Sequence, residues 1–297
     1  MKRLIRVPAT TANLGPGFDS FGCALGLYNT YTFEAIPKGL EITGCAERYC
    51  NYRNLSVRAY MMTLEEAGVP FTGLRMEMLQ TEVPLSRGLG SSAAMIVAGI
   101  VAANAEAGYP FDKRKMLQIA TRIEGHPDNL APALYGGLTA SMMHDSMPDT
   151  VLYDMAADLK FVVCIPDFEL ATSKARKALP DTYSRADAVF NLSHGAVLLK
   201  ALETGNKSLI SRALDDRIHQ PYRFDLIDEY HTVDRVAKEE GALACCISGA
   251  GPTILVLTDN DTFASRLAQR LEGETHNNWQ VLAPEIDRVG ATVTEMN

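Results

Sequence analysis

The stretch "PLSRGLGSSAAM", residues 84–95, crowds two glycines, three serines and an arginine ahead of the apolar run "SSAAMIVAGIVAANAEAG". A simple turn needs one glycine, and a serine helix cap explains one serine more. The second glycine and second serine, followed by a helix apolar nearly all round, point instead to bare backbone donors at a buried helix N-terminus, where the helix dipole favours an anion. Phosphate is the natural candidate. The loop is not a Walker A motif, because the chain contains no Gly-Lys pair,. Gly88, Gly90 and Ala93 match G-x-G-x-x-A, but a dinucleotide fingerprint should follow a strand directly, and Pro84-Leu85-Ser86-Arg87 intervene,.

With 297 residues, 47% hydrophobic and 22% charged, the chain is long enough for two domains with their own cores,. The net charge of -8 argues against a general nucleic-acid binder, whereas a small anion needs only local positive potential,. Six cysteines without a Cys-x-x-Cys pair give neither a disulfide scaffold nor a structural zinc site,. The N-terminus lacks an apolar stretch of signal-peptide length, and the longest apolar run is short for a membrane span. A cytoplasmic protein with no membrane partner is expected.

Alternation in "LIRVPAT", "YTFEAIP" and "LRMEMLQ" predicts strands, so the first third is sheet-rich,. Val57, Tyr60, Met61 and Leu64 follow Asn54 at helical spacing, with Gly68 closing that helix,. A second helix is expected from Asp112 to Glu124, and others over Ser184–Leu202 and Asp225–Glu240,. The turn-rich "HDSMPDT", residues 144–150, is the expected boundary, because strand-like "LKFVVCIPD" restarts the pattern after it,. "ALACCISGAGPTILVLTD" reads as strand, glycine turn, strand.

Together with the glycine loop, three further motifs resemble the GHMP kinases, named for galactokinase, homoserine kinase, mevalonate kinase and phosphomevalonate kinase. Within that family the match is closest to the branch that phosphorylates homoserine, through "VPATTANLGPGFDSFG" (7–22), "EGHPDNLAPALYGG" (124–137) and "SGAGPTILVL" (248–257). The resemblance spans most of the chain in the expected order. It implies an α+β fold of two domains, an ATP-binding one over 1–150 and a second over 151–297, with the active site in the cleft between them. It also implies ATP and Mg²⁺ as cofactors. The substrate would be L-homoserine, phosphorylated on its hydroxyl to O-phospho-L-homoserine on the route to threonine. A homodimer is left open.

The resemblance implies that Pro84, Arg87, Gly88, Leu89, Gly90, Ser91 and Ser92 surround the nucleotide phosphates, with Asn54 on the adenine side. From the residues alone, Asn54 is an ordinary helix N-cap. Glu124 stands in the last turn of its helix, where a carboxylate opposes the dipole and calls for a cation. By resemblance it holds Mg²⁺ with Ser92. Asn13 and Asp19 flank a rigid turn and could bond only their own backbone; the resemblance places both on the substrate, Asp19 against its ammonium. His126, Asp128 and Asn129 could suggest a hydrolase triad with Ser92, but no serine lies in a G-x-S-x-G elbow,. By resemblance, His126 and Asn129 line the substrate site. Thr172 and Arg176, one helical turn apart, and Arg223 in "HQPYR" complete it. Arginine forks suit an α-carboxylate. Asn129 stands where wider family members carry an aspartate base, and an amide cannot accept a proton as a carboxylate does. Catalysis here is therefore expected to run by positioning, with Asn129, Arg176, Ser92 and Glu124 as the catalytic set.

Overall fold

In the computed structural model, which describes residues 1–296, the alternating N-terminal stretch forms β1 (Lys2–Ala12) and packs against β2 (Phe21–Ala35). β3 (Gly39–Thr43), α1 (Leu55–Glu66), β4 (Gly73–Thr81), α2 (Ser91–Glu106), α3 (Lys113–Glu124), α4 (Leu130–Tyr135), β5 (Leu138–His144) and β6 (Met147–Tyr153) follow. Ile5, Val7, Tyr31 and Phe33 point from the sheet into a core that α1 to α4 cover. Local chemistry sets the helix ends. Asn54 and Asp112 accept backbone N–H bonds as N-caps, and Gly125 closes α3 in the left-handed region,.

The second lobe contains β7 (Lys160–Pro166), α5 (Thr172–Lys177), α6 (Arg185–Thr204), α7 (Lys207–Ala213), α8 (Tyr230–Glu239), β8 (Ala244–Ile247), β9 (Ile254–Thr258), α9 (Phe263–Glu274) and β10 (Trp279–Leu282). Its sheet has the order β10-β7-β9-β8. Phe161, Val163 and Ile165 face one core while Val162 and Cys164 face another, which is why "LKFVVCIP" is almost continuously apolar,. The first of these cores also takes Ala9, Leu14, Cys23, Leu25 and Leu89, so it welds the lobes together. The described residues thus form a two-lobed α+β fold. None of their helices is long and apolar enough to cross a membrane.

Three expectations need correction. Residues 144–150 are not a linker: they close the β5–β6 hairpin, and β6 pairs through Tyr153 within the first sheet. Turn residues look the same in a hairpin as in a domain boundary. Nor does everything after 150 stay in the second lobe, because β11 (Thr292–Met296) returns to pair with β1. The helix expected from Asp225 begins only at Tyr230, after a 3₁₀ turn over Phe224–Leu226. Glu229, with φ of 62°, accepts bonds from the backbone of His276 and Asn277 and from Trp279 Nε1. That pinning holds the preceding backbone out of the helix.

Candidate active site

The glycine loop reaches α2 through two left-handed residues, Gly88 at φ 75° and Gly90 at φ 70°. Both positions also exclude a side chain. A Cβ on Gly90 would lie 2.0 Å from Thr10 Oγ1, and one on Gly88 would lie 2.4 Å from the Ser248 carbonyl oxygen. No side chain caps α2, whose first residues line the cleft, so its N-terminal donors and dipole face the space an anion would take,. Beside them Ser92 Oγ donates to Glu124 Oε2 at 2.7 Å. A hydroxyl and a carboxylate beside an uncapped helix N-terminus form the hard-oxygen donor set that suits Mg²⁺,.

The turn after β1 supplies the opposite wall. Asn13, Leu14 and Asp19 all have positive φ, a local strain that overdetermined functional loops carry,. The Asn13 amide accepts from the Asp19 backbone N–H at 2.9 Å and donates to the Gly249 carbonyl at 2.7 Å. It therefore braces its own turn and reaches the second lobe as well. The Asp19 carboxylate takes a bidentate pair from Arg176, at 2.7 and 3.0 Å. That bonding raises the Arg176 guanidinium above its ordinary range against the opposing effect of burial.

After α3 the chain delivers His126, Asp128 and Asn129. His126 Nδ1 donates to Asp128 Oδ1 at 2.6 Å. Burial alone would lower this imidazole, but the bond and charge of Asp128, with Asp19 adding, raise it above 6.5,. Asn129 Oδ1 accepts from Thr10 Oγ1 at 2.8 Å, and its backbone N–H donates to Asp128. On the far side Arg223, fully buried, donates to the carbonyls of Ala175 and Gly249 and to His219.

One cleft thus gathers Gly88, Gly90, Ser91, Ser92, Glu124, Asn13, Asp19, His126, Asn129, Thr172, Arg176 and Arg223. The others expected at the nucleotide sit elsewhere. Asn54 caps α1 and donates to Tyr49 O, and Leu89 is in the core. Arg87 staples the loop to the end of β7 through the carbonyls of Pro166 and Asp167, and with Pro84 it lines a separate open groove. Phe18 and Ser86 line the cleft without any signal in the sequence, and so does Asp128, which the sequence suggests only as part of the rejected hydrolase triad. "SGAGPT" is both a hairpin turn and a wall of the site. Its Ser248 hydroxyl donates to the Gly88 carbonyl, and Gly249 and Ala250 line the cleft.

Residues 54–137 match the family model of the GHMP kinases N terminal domain, and residues 198–277 match that of the GHMP kinases C terminal domain. The chain is 40% identical over 291 residues to a homoserine kinase of Clostridium botulinum, covering 97% of each chain. It is likewise 40% identical over 293 residues to a homoserine kinase of Clostridium beijerinckii, covering 98% of each. The crystal structure of a homoserine kinase from Cytophaga hutchinsonii superposes with a TM-score of 0.90 at 29% identity, over 99% of this chain and 97% of that one. A mevalonate kinase of L. major shares the fold, with a TM-score of 0.74 at 16% identity over 96% of each chain.

Proposed function

The chain belongs to the GHMP kinases, and from that premise we infer that it transfers the terminal phosphoryl group of ATP to the hydroxyl of L-homoserine. The product is O-phospho-L-homoserine, on the route to threonine. The observation that carries the reading is that one cleft joins an anion-binding helix N-terminus to the Asp19–Arg176 ion pair. An amino-acid zwitterion complements each half of that pair. Its ammonium suits Asp19 and its carboxylate suits Arg176 with Arg223, so substrate binding exchanges partners and leaves no charge uncompensated.

In this reading the N–H groups of α2 hold the nucleotide phosphates, and Ser92 and Glu124 hold Mg²⁺. When bound, the ion neutralises phosphate charge. Asn13, His126 and Thr172 shape the substrate end, and Asn129, fixed by Thr10, aligns the attacking hydroxyl. A loose transition state asks little of a base, so the hydroxyl proton leaves late with the transferred group. The alternative of a silent ligand sensor leaves the Ser92–Glu124 pair without a purpose. The test is ADP release with L-homoserine, mevalonate or no acceptor. Release that depends on homoserine is expected; release that depends on mevalonate, or on neither, would overturn the assignment.

A further inference from the structure

We propose that His219 is a positioning residue whose Nδ1 lone pair fixes the rotation of Arg223, so that the free Nη2 of the guanidinium faces the cleft. The inference rests on the reading of Arg223 as a holder of the substrate carboxylate. Its evidence is the chemistry of the two ring nitrogens. His219 is fully buried between α7 and α8. Nε2 lies 2.8 Å from the Gly15 carbonyl oxygen, which can only accept, so Nε2 carries a proton,. Nδ1 lies 3.2 Å from Arg223 Nη1, which can only donate, so Nδ1 is bare,. The two partners allow one form alone, the neutral Nε2–H tautomer.

The surroundings hold that form in place. The buried Asp216 carboxylate accepts from the backbone N–H groups of Ile218, His219 and Gln220 and from the Asn191 amide, which fixes the segment carrying the imidazole. Burial pushes His219 down to about 4, Asp216 opposing and Arg223 reinforcing. Phe18 stacks on the ring at 5.3 Å, and the Arg223 guanidinium lies over the same phenyl ring. Arg223 Nε and Nη1 are engaged by Ala175, Gly249 and His219, whereas Nη2 donates to nothing among the described residues. With Nε and Nη1 engaged, the Nη2 amino group is what remains to donate to a carboxylate,.

The two ring contacts can be removed separately. In His219→Gln the amide nitrogen can reach Gly15, but nothing accepts from Arg223 at the Nδ1 position. In His219→Asn the side-chain oxygen stands near the Nδ1 position and Gly15 loses its donor. His219→Gln should raise the homoserine KM roughly tenfold or more, with kcat and the ATP KM little changed. His219→Asn should recover a homoserine KM nearer to wild type even where its melting temperature falls. Equal KM values in the two variants, or a larger rise in His219→Asn, would overturn the proposal. A ¹⁵N–¹H correlation spectrum of the wild type at neutral pH tests the tautomer without substrate. An Nε2–H pattern is expected, and an Nδ1–H or doubly protonated ring would overturn the proposal whether or not a variant folds. A wild type that does not phosphorylate homoserine would strike the functional reading instead, leaving the tautomer result to stand separately.

Discussion

Replacing Arg223 with methionine should cost substrate binding while leaving stability almost unchanged. Burial first, and then Arg176, push its guanidinium down from 12.5 to about 10, with Asp19 and Asp216 opposing. At about 1.36 kcal/mol per pKa unit, the folded protein holds this charge at a cost of about 3 kcal/mol. The penalty is fully present at any pH below the lowered value. Methionine removes it and keeps much of the volume, but withdraws donors from Ala175 O, Gly249 O and His219 Nδ1,. Gly249 O keeps the Asn13 amide. Losing the bonds to the other two acceptors costs about 1 kcal/mol or more each, so the opposing effects nearly offset. The melting temperature should then stay within about 5 °C of wild type. The substrate loses a charge-assisted bond worth about 1.5–3 kcal/mol, or roughly a 10- to 150-fold rise in its KM. Thermal melts beside initial rates at saturating ATP and varied homoserine measure both quantities. An unchanged KM, or a collapse in melting temperature, would show that Arg223 is chiefly a structural residue.

Ser92→Ala and Glu124→Gln should each cut kcat by about two orders of magnitude or more without unfolding the protein, because each removes a proposed Mg²⁺ ligand. Near-wild-type turnover at saturating Mg²⁺ in either variant would remove that residue from the metal site. His126 should titrate above 6.5 in the wild type and lower in Asp128→Asn, as followed by its ring resonances in NMR. Because the folded value is raised, the stability this pair contributes is fully present below about pH 6.5 and is lost as pH rises through the folded value. A midpoint unmoved by the substitution would acquit Asp128. Asn129→Asp should slow the maximal rate by adding negative charge beside phosphate. A faster variant governed by a new ionisation would reveal that a missing base had been limiting.

Features with local causes were legible in the sequence. Asn54 caps the helix expected after it, and Asp112 and Ser184, where the next helices are expected to start, stand as their N-caps, because a cap satisfies donors two or three residues away,. The buried α2 followed from its apolar residues nearly all round, and the strand over "LKFVVCIPD" from its pattern. What depends on distant partners stayed hidden. The Asp19–Arg176 pair joins residues 157 apart, and β11 finds β1 across nearly the whole chain. The motif "HQPYR" points to Arg223, whereas the part played by its first residue, His219, depends on contacts with Gly15 and Arg223 that the fold creates. Arg87, charged and next to the glycine loop, suggested a phosphate contact; its bonds to the β7 carbonyls are visible only in three dimensions.

The proposed catalysis without a base would place its whole demand on geometry, and the loops around the cleft are tied to each other. The Gly249 backbone N–H donates to Ala12 O, the Thr253 backbone N–H donates to Arg87 O, and Ser248 Oγ bonds both Gly88 O and Thr11 Oγ1. These bonds join the β8–β9 turn of the second lobe to the phosphate loop and to the end of β1. The groups proposed to hold the nucleotide and those proposed to hold the amino acid therefore stand on one hydrogen-bonded frame, over a core that both lobes share. A loose phosphoryl-transfer transition state is stabilised by fixed charges already in place. In such a frame the proposed role of Asn129, held through Thr10, is to orient the attacking hydroxyl and not to accept its proton. Loosening Ser248 or Thr10 should then lower kcat more than it weakens either substrate, because the misplacement matters most when the reacting atoms must align.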